Sequence, residues 1–223
     1  MPTRTAPSSR PEAVKRSPRE RLLQAASELF YAEGVQSVGI DRVIERAGVA
    51  KASLYSTFGS KEQLVCAYLD ARHAQTLGRL RAAVDAVEDP VERILAVFDA
   101  QAQLFRTPDF HGCAFTAAAA EAPAGGRVDQ AAESYRHDIR ALFTELAAAA
   151  GAADPVLLAS QLQLIYDGGG LAARMDRDVA IAAPARAAAT ALIAAAAAGT
   201  EPADGPLGRK CRDGAGDTLC AER

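Results

Sequence analysis

With 223 residues, 49% of them hydrophobic, the chain is long enough for one or two domains and a sizeable core. Its formal net charge of −3 argues against a general nucleic-acid binder, but the charge is unevenly spread. Residues 1–81 hold 13 Lys+Arg against 8 Asp+Glu and the remainder holds 12 against 20, so a basic end is joined to an acidic body.

The N-terminus lacks an apolar signal core, which points to a cytoplasmic protein. No run reads as long and apolar enough to span a bilayer, the alanine tract 194–198 being too short, so no membrane is expected among the partners. Four Cys read as free thiols rather than a disulfide framework.

Residues 1–16 are rich in Pro, Ser, Thr and Arg without apolar periodicity and read as a disordered arm. Ser17-Pro18-Arg19-Glu20 is a helix start, with Ser17 as N-cap, Pro18 in the first turn and Glu20 closing a capping box. Leu22, Ala26, Leu29 and Phe30 line one face until Gly34 ends that helix.

Ile40, Val43, Ile44 and Ala47 give a second, short helix its apolar face, and Gly48 supplies the residue tolerant of positive φ that a helix end needs. A third helix runs from about Ala50 to Thr57. Two short helices joined by a glycine turn make a helix-turn-helix, whose second helix can enter a DNA major groove.

Ser60-Lys61-Glu62-Gln63 is a second capping box, opening a long helix through Leu64, Tyr68, Leu77, Leu80, Val84 and Val87. Asp89-Pro90 and Asp154-Pro155 are further starts. Between them lie a helix carrying Ile94 to Phe105, a break at Thr107-Pro108, a short helix over 113–121, and a long helix with Val128, Ala132, Tyr135, Ile139, Leu142 and Leu146 at 4-3 spacing. Two last helices cover roughly 155–176 and 184–198, and residues 199–223 turn Gly-, Pro- and charge-rich, a disordered tail. The fold class is all-α, with about nine helices.

Ala47-Gly48-Val49, Leu54-Tyr55, Phe58, Ser60-Lys61 and Leu64 resemble the signature of the tetracycline-repressor (TetR) family of transcription regulators. The match is close over roughly residues 17–81 and weaker to about residue 198. It implies a three-helix helix-turn-helix DNA-binding domain over 17–60, then an antiparallel helical domain over 61–198 for effector binding and dimerisation.

By that resemblance Lys51, Ser53, Leu54 and Ser56 face bases, while Tyr55, Thr57 and Lys61 hold phosphates. Lys51 suits guanine, Ser53 several base edges, and the Ala52 methyl thymine. Gly39, at the start of the first reading helix, belongs to the same DNA-binding set. The amides at the start of the long helix beside Lys61 can also bind an anion. Leu54, Tyr55 and Phe58 equally read as core. For Phe58 the core reading is favoured, for Leu54 both stand, and for Tyr55 both hold at once, since a ring can pack while its hydroxyl reaches out. Val38 and Ala50 depart from the family's usual Thr and Ser; losing a cap costs about 1 kcal/mol.

The effector pocket is expected among His73, Phe98, Gln101, Phe105, Phe110, Cys113, Phe115, Tyr135 and Phe143, apolar walls with a few placed polar groups. The last two helices are implied to pair with their copies in a homodimer, with Leu162, Ile165, Leu171 and Met175 as the apolar face. Gly168-Gly169-Gly170 is costly inside a helix and suggests close approach or a kink. No nucleophile–base pair, metal set or cofactor loop is visible, so neither enzyme activity nor a cofactor is expected, and His111 with Cys113 is a poor metal site. The implied function is a regulator, a repressor released from a palindromic double-stranded DNA operator by an unidentified small molecule. The alternative is a sensor or carrier of the same fold that has lost DNA binding.

Overall fold

The computed structural model describes residues 16–198; the arm expected at 1–16, apart from Arg16, and the tail expected at 199–223 lie outside them. The described residues form helices without strands: α1 (Pro18–Glu33), α2 (Ile40–Ala47), α3 (Lys51–Phe58), α4 (Lys61–Asp85), α5 (Pro90–Phe105), α6 (Ala114–Glu121), α7 (Arg127–Ala149), α8 (Pro155–Asp176) and α9 (Ala182–Ala198), with a 3-10 turn Val179–Ile181 before the last.

Local chemistry sets most boundaries. The Ser17–Glu20 capping box forms in both directions. At Ser60 only half of the expected box forms: the hydroxyl accepts from the Gln63 N–H at 3.1 Å, while the Ser60 N–H donates to the Phe58 carbonyl. Asp89 and Asp154 cap α5 and α8 by accepting from the first amides of each helix. Gly48 sits in the left-handed region at φ 62°, the conformation that turns the chain between α2 and α3. α4 stops at Asp85, short of Val87, because the chain must turn before Asp89-Pro90 opens α5.

α1, α2 and α3 form a small tripod seated on the start of α4. Leu22, Ala26, Phe30, Val38, Val43, Leu54 and Phe58 fill its centre, and Phe30 meets Tyr68 of α4 edge-on at 5.7 Å. Ion pairs from Arg42 to Glu33 (2.6 Å) and Arg46 to Glu28 (2.8 Å) fasten α2 to α1 at the surface, and Arg21 donates to the Gly48 carbonyl. In the larger body α5 is central: it packs on α4, α7, α8 and α9, and Ile94, Leu95, Val97 and Phe98 are buried.

Two expectations need correction here. The stretch Val179–Ala197, 19 residues at a mean hydropathy of 1.7, is long and apolar enough by those measures to cross a bilayer. The 3-10 turn and α9 run on as one alanine-rich segment, longer than the tract 194–198. It nonetheless packs on α5 and α8 through Ala185, Ala189 and Ile193, and Arg186 pairs with Glu92 and Asp99 at 3.0 Å each.

The second correction concerns the apolar face expected on α8. α8 is continuous through Gly168-Gly169-Gly170, and a β-carbon on Gly169 or Gly170 would make only ordinary contact with Ala185 or Gln101 at 3.5 Å. Leu162 points inward and is fully buried, while Leu157, Leu164, Leu171 and Met175 are 55–72% exposed. The outward stripe therefore runs Leu157, Leu164, Gly168, Leu171, Met175.

Candidate DNA interface and effector cavity

α3 is exposed on the side away from the tripod. Lys51, Ala52, Tyr55, Ser56 and Thr57 are open to solvent, Ser53 and Lys61 half-buried. Leu54 is 0% exposed and belongs to the core, which removes it from the base-facing set: on an eight-residue helix the one face holding Leu54 and Phe58 must seat on α1. Tyr55 is 47% exposed. Lys51 is pre-engaged with Asp41 of α2 at 2.9 Å, and this hydrogen bond and charge hold its ammonium pKa above the usual lysine value. Neither short helix has a side-chain cap: Gly39 and Ala50 stand at the N-cap positions of α2 and α3 without a cap bond. The first amides of α2, and those of Lys51 and Ala52 in α3, thus keep no intrahelical partner, while the Ser53 N–H donates to the Ala50 carbonyl at 2.9 Å. Val38 is fully buried and serves the core.

A cavity of about 470 Å³ opens between the end of α1, α4, α5, α6, α7 and α8. Of the residues expected there, Gln101, Phe105, Phe110, Cys113, Phe115 and Tyr135 line it. Phe115 and Tyr135 stack in parallel with centroids 3.9 Å apart, and Phe105 leans on Phe110 at 5.0 Å. Gln101, buried, donates to the Tyr166 carbonyl at 2.8 Å.

His73, Phe98 and Phe143 do not line the cavity. His73 stands behind the wall, edge-on to Phe115 and Tyr135, with Nε2 3.1 Å from an Asp138 carboxylate oxygen. Phe98 and Phe143 close into a buried cluster with Tyr166 at centroid distances of 5.8–6.4 Å. An aromatic residue at helical spacing fills the nearest gap, and here that gap is core.

The lining holds polar residues that sequence reading missed, chiefly Tyr31, Arg72, Arg79, His111, Tyr166, Asp167 and Arg174. Arg72, Thr76 and Arg79 recur at 4-3 spacing, a polar stripe inside α4 that could have signalled a lined space. Burial raises the Tyr135 hydroxyl well above its ordinary pKa and Tyr166 to about 12, so both phenols stay protonated. Burial also raises the Asp167 carboxyl, opposed by its ion pair with Arg136.

One clasp joins this cavity to the tripod. The Tyr31 hydroxyl of α1 donates to the Gly112 carbonyl at 3.0 Å and accepts from the His111 N–H at 3.1 Å. The Arg174 Nε of α8 donates to the His111 carbonyl at 3.0 Å. Gly112 holds φ 91°, and a β-carbon there would lie 3.1 Å from Arg174 Cγ, so only glycine fits this loop unstrained. Beside it the Gln36 amide donates to the Glu121 carboxylate at 2.7 Å, tying the end of α6 to the α1–α2 turn.

Residues 22–68 match the family model of the bacterial regulatory proteins of the TetR family, which places the motif on the α1–α3 tripod and the start of α4. A TetR-family transcriptional regulator from Streptomyces coelicolor is 31% identical, with a TM-score of 0.77 over 81% of this chain and 96% of that one. This chain belongs to the TetR family. A second TetR regulator, from Streptomyces avermitilis, is 36% identical at a TM-score of 0.73, over 81% of this chain and 98% of its own. Among curated TetR-like regulators, the transcriptional activator FasR of Mycolicibacterium smegmatis is 37% identical over 82 residues, 37% of either chain. The transcriptional regulator LmrA of Bacillus subtilis is 32% identical over 105 residues, 46% of this chain and 56% of that protein. The chain thus matches about a third to a half of the length of these curated relatives.

Proposed function

We propose that this TetR-family chain is a homodimeric regulator that binds a palindromic operator in the cytoplasm and is released from it by a small molecule. The observation that carries the reading is the clasp: the same loop, 111–112, lines the cavity and is bonded to α1 of the tripod. A ligand that occupies the cavity better in one tripod tilt than another shifts the population between them.

Exposed Lys51, Ala52, Tyr55, Ser56 and Thr57 form the probe for the groove, with Lys61 and the uncapped helix starts as phosphate contacts. Pairing through the outward stripe of α8, with α9 alongside, would set two probes near one DNA turn apart, about 34 Å. The heptad-like spacing of Leu157, Leu164, Gly168, Leu171 and Met175 suits helix pairing, and Gly168 allows the helices to approach closely.

Fluorescence anisotropy with a duplex from upstream of the chain's own gene, over a series of salt concentrations, tests this. The expected result is preference over a scrambled duplex and an affinity falling linearly on a log–log salt plot. No preference at any salt concentration would leave the sensor or carrier reading in its place.

A further inference from the structure

Three arginines and three carboxylates line the cavity, but no arginine of the lining is paired with a carboxylate of the lining. Three lining arginines, Arg72, Arg79 and Arg174, have no carboxylate partner among the described residues. Arg72 instead lies over the Tyr31 ring, its Cζ 3.8 Å from the centroid, and Arg174 spends its Nε on the His111 carbonyl. The Nε atoms of Arg72 and Arg79 are shut off from solvent and make no hydrogen bond.

The lining carboxylates are differently placed. Asp167 is paired with Arg136, and Glu33 with Arg42. Glu121 accepts from the Gln36 amide, and it and Glu33 are solvent-exposed while Arg72 and Arg79 are half-buried. A half-buried guanidinium with an idle, desolvated donor is an expensive arrangement unless an anion completes it. Apolar surface comes from the stacked Phe115 and Tyr135 and from the tilted Phe105–Phe110 pair.

We infer that the effector is a small organic anion: an apolar body that lies against these rings, with one acidic group received by Arg72 and Arg79. This deepens the regulatory reading and rests on it. It also supplies a trigger. An anion that draws the Arg72 guanidinium off Tyr31 weakens the hold of α4 on the residue that clasps loop 111–112.

The test uses two fluorescent probes of one skeleton, 8-anilinonaphthalene-1-sulfonate and the uncharged N-phenyl-1-naphthylamine, titrated into the full-length chain. The sulfonate should bind about tenfold more tightly, the scale of one charge-assisted hydrogen bond. Arg72→Gln and Arg79→Gln should each remove that preference while leaving the neutral probe within about twofold. Arg79→Gln leaves the Tyr31 stack in place, so it stands if Arg72→Gln fails to fold, and Arg81→Gln, outside the cavity lining, should change neither probe. Equal binding of the two probes, or sulfonate affinity unmoved in both cavity variants, overturns the inference. Operator binding is read separately. Arginine-dependent sulfonate binding that leaves operator affinity unchanged would uphold the ligand class and sink the regulatory reading, whereas operator release by the neutral probe alone would do the reverse.

Discussion

α3 and α8 both present residues to water that a lone subunit has no use for, and their chemistry is opposite. α3 offers Lys51, Ala52, Tyr55, Ser56 and Thr57, polar or small, which cost little when solvated. α8 offers Leu157, Leu164, Leu171 and Met175, each more than half exposed, and α9 continues the apolar surface. A polar probe can wait for a partner that comes and goes. A contiguous apolar stripe works against solubility until it is covered, so it suits a permanent contact. The difference is the one expected between the proposed reversible DNA contact and the proposed lasting subunit contact.

The largest effect should come from breaking the apolar face. Leu164→Glu with Leu171→Glu would bury two unpaired carboxylates, at several kcal/mol each, in the proposed pairing surface. Light scattering should find monomers, and operator binding should be lost with them. A double variant that stays dimeric would place the pairing surface elsewhere.

A smaller effect of opposite sign is expected at the polar probe. Asp41→Asn frees Lys51 from its ion pair and removes a negative charge beside the DNA face. Operator affinity should rise severalfold, roughly the weight of one released surface charge, and the gain should shrink as salt is added. Anisotropy at low and high salt checks it; no gain at low salt would mean that the Lys51 ammonium does not reach DNA.

The smallest effect concerns the tripod's acid sensitivity. Hydrogen bonds from Arg46 and Arg42 hold Glu28 and Glu33 below their ordinary 4.5, and the Ser17 cap bonds do the same for Glu20. A depressed native pKa means the stabilisation is fully present above about 4.5 and is lost as pH falls through the native values. Melting curves should therefore drop below about pH 4.5, and the drop should be shallower in Glu28→Gln/Glu33→Gln. Because these carboxylates are exposed, the change will be slight.

The two regions also differ in how far the sequence revealed them. Around α3 the helix bounds rested on local signals, such as the turn at Gly48 and the cap at Ser60, while the proposed DNA contacts rested on the resemblance to the TetR family, and the structure puts one of them, Leu54, in the core. Around the cavity six of the nine expected residues line it, while His73, Phe98 and Phe143 pack behind it. Arg174 went unread because one arginine late in α8 is indistinguishable in sequence from a solvated one, while Arg72 and Arg79 were legible only through the stripe they form with Thr76.

Sequence by itself determined where the helices start and stop, that they are amphipathic, and which family motif sits at residues 47–64, since caps, glycines and 3.6-residue periodicity act over a few neighbours. Only the tertiary structure decided which apolar face of α8 turns inward, whether Leu54 meets DNA or α1, and that Tyr31, Arg72, His111 and Arg174 meet at one place. Those outcomes depend on what lies across from a side chain, and that neighbour is supplied by residues up to 143 positions away, a separation over which no local pattern carries information.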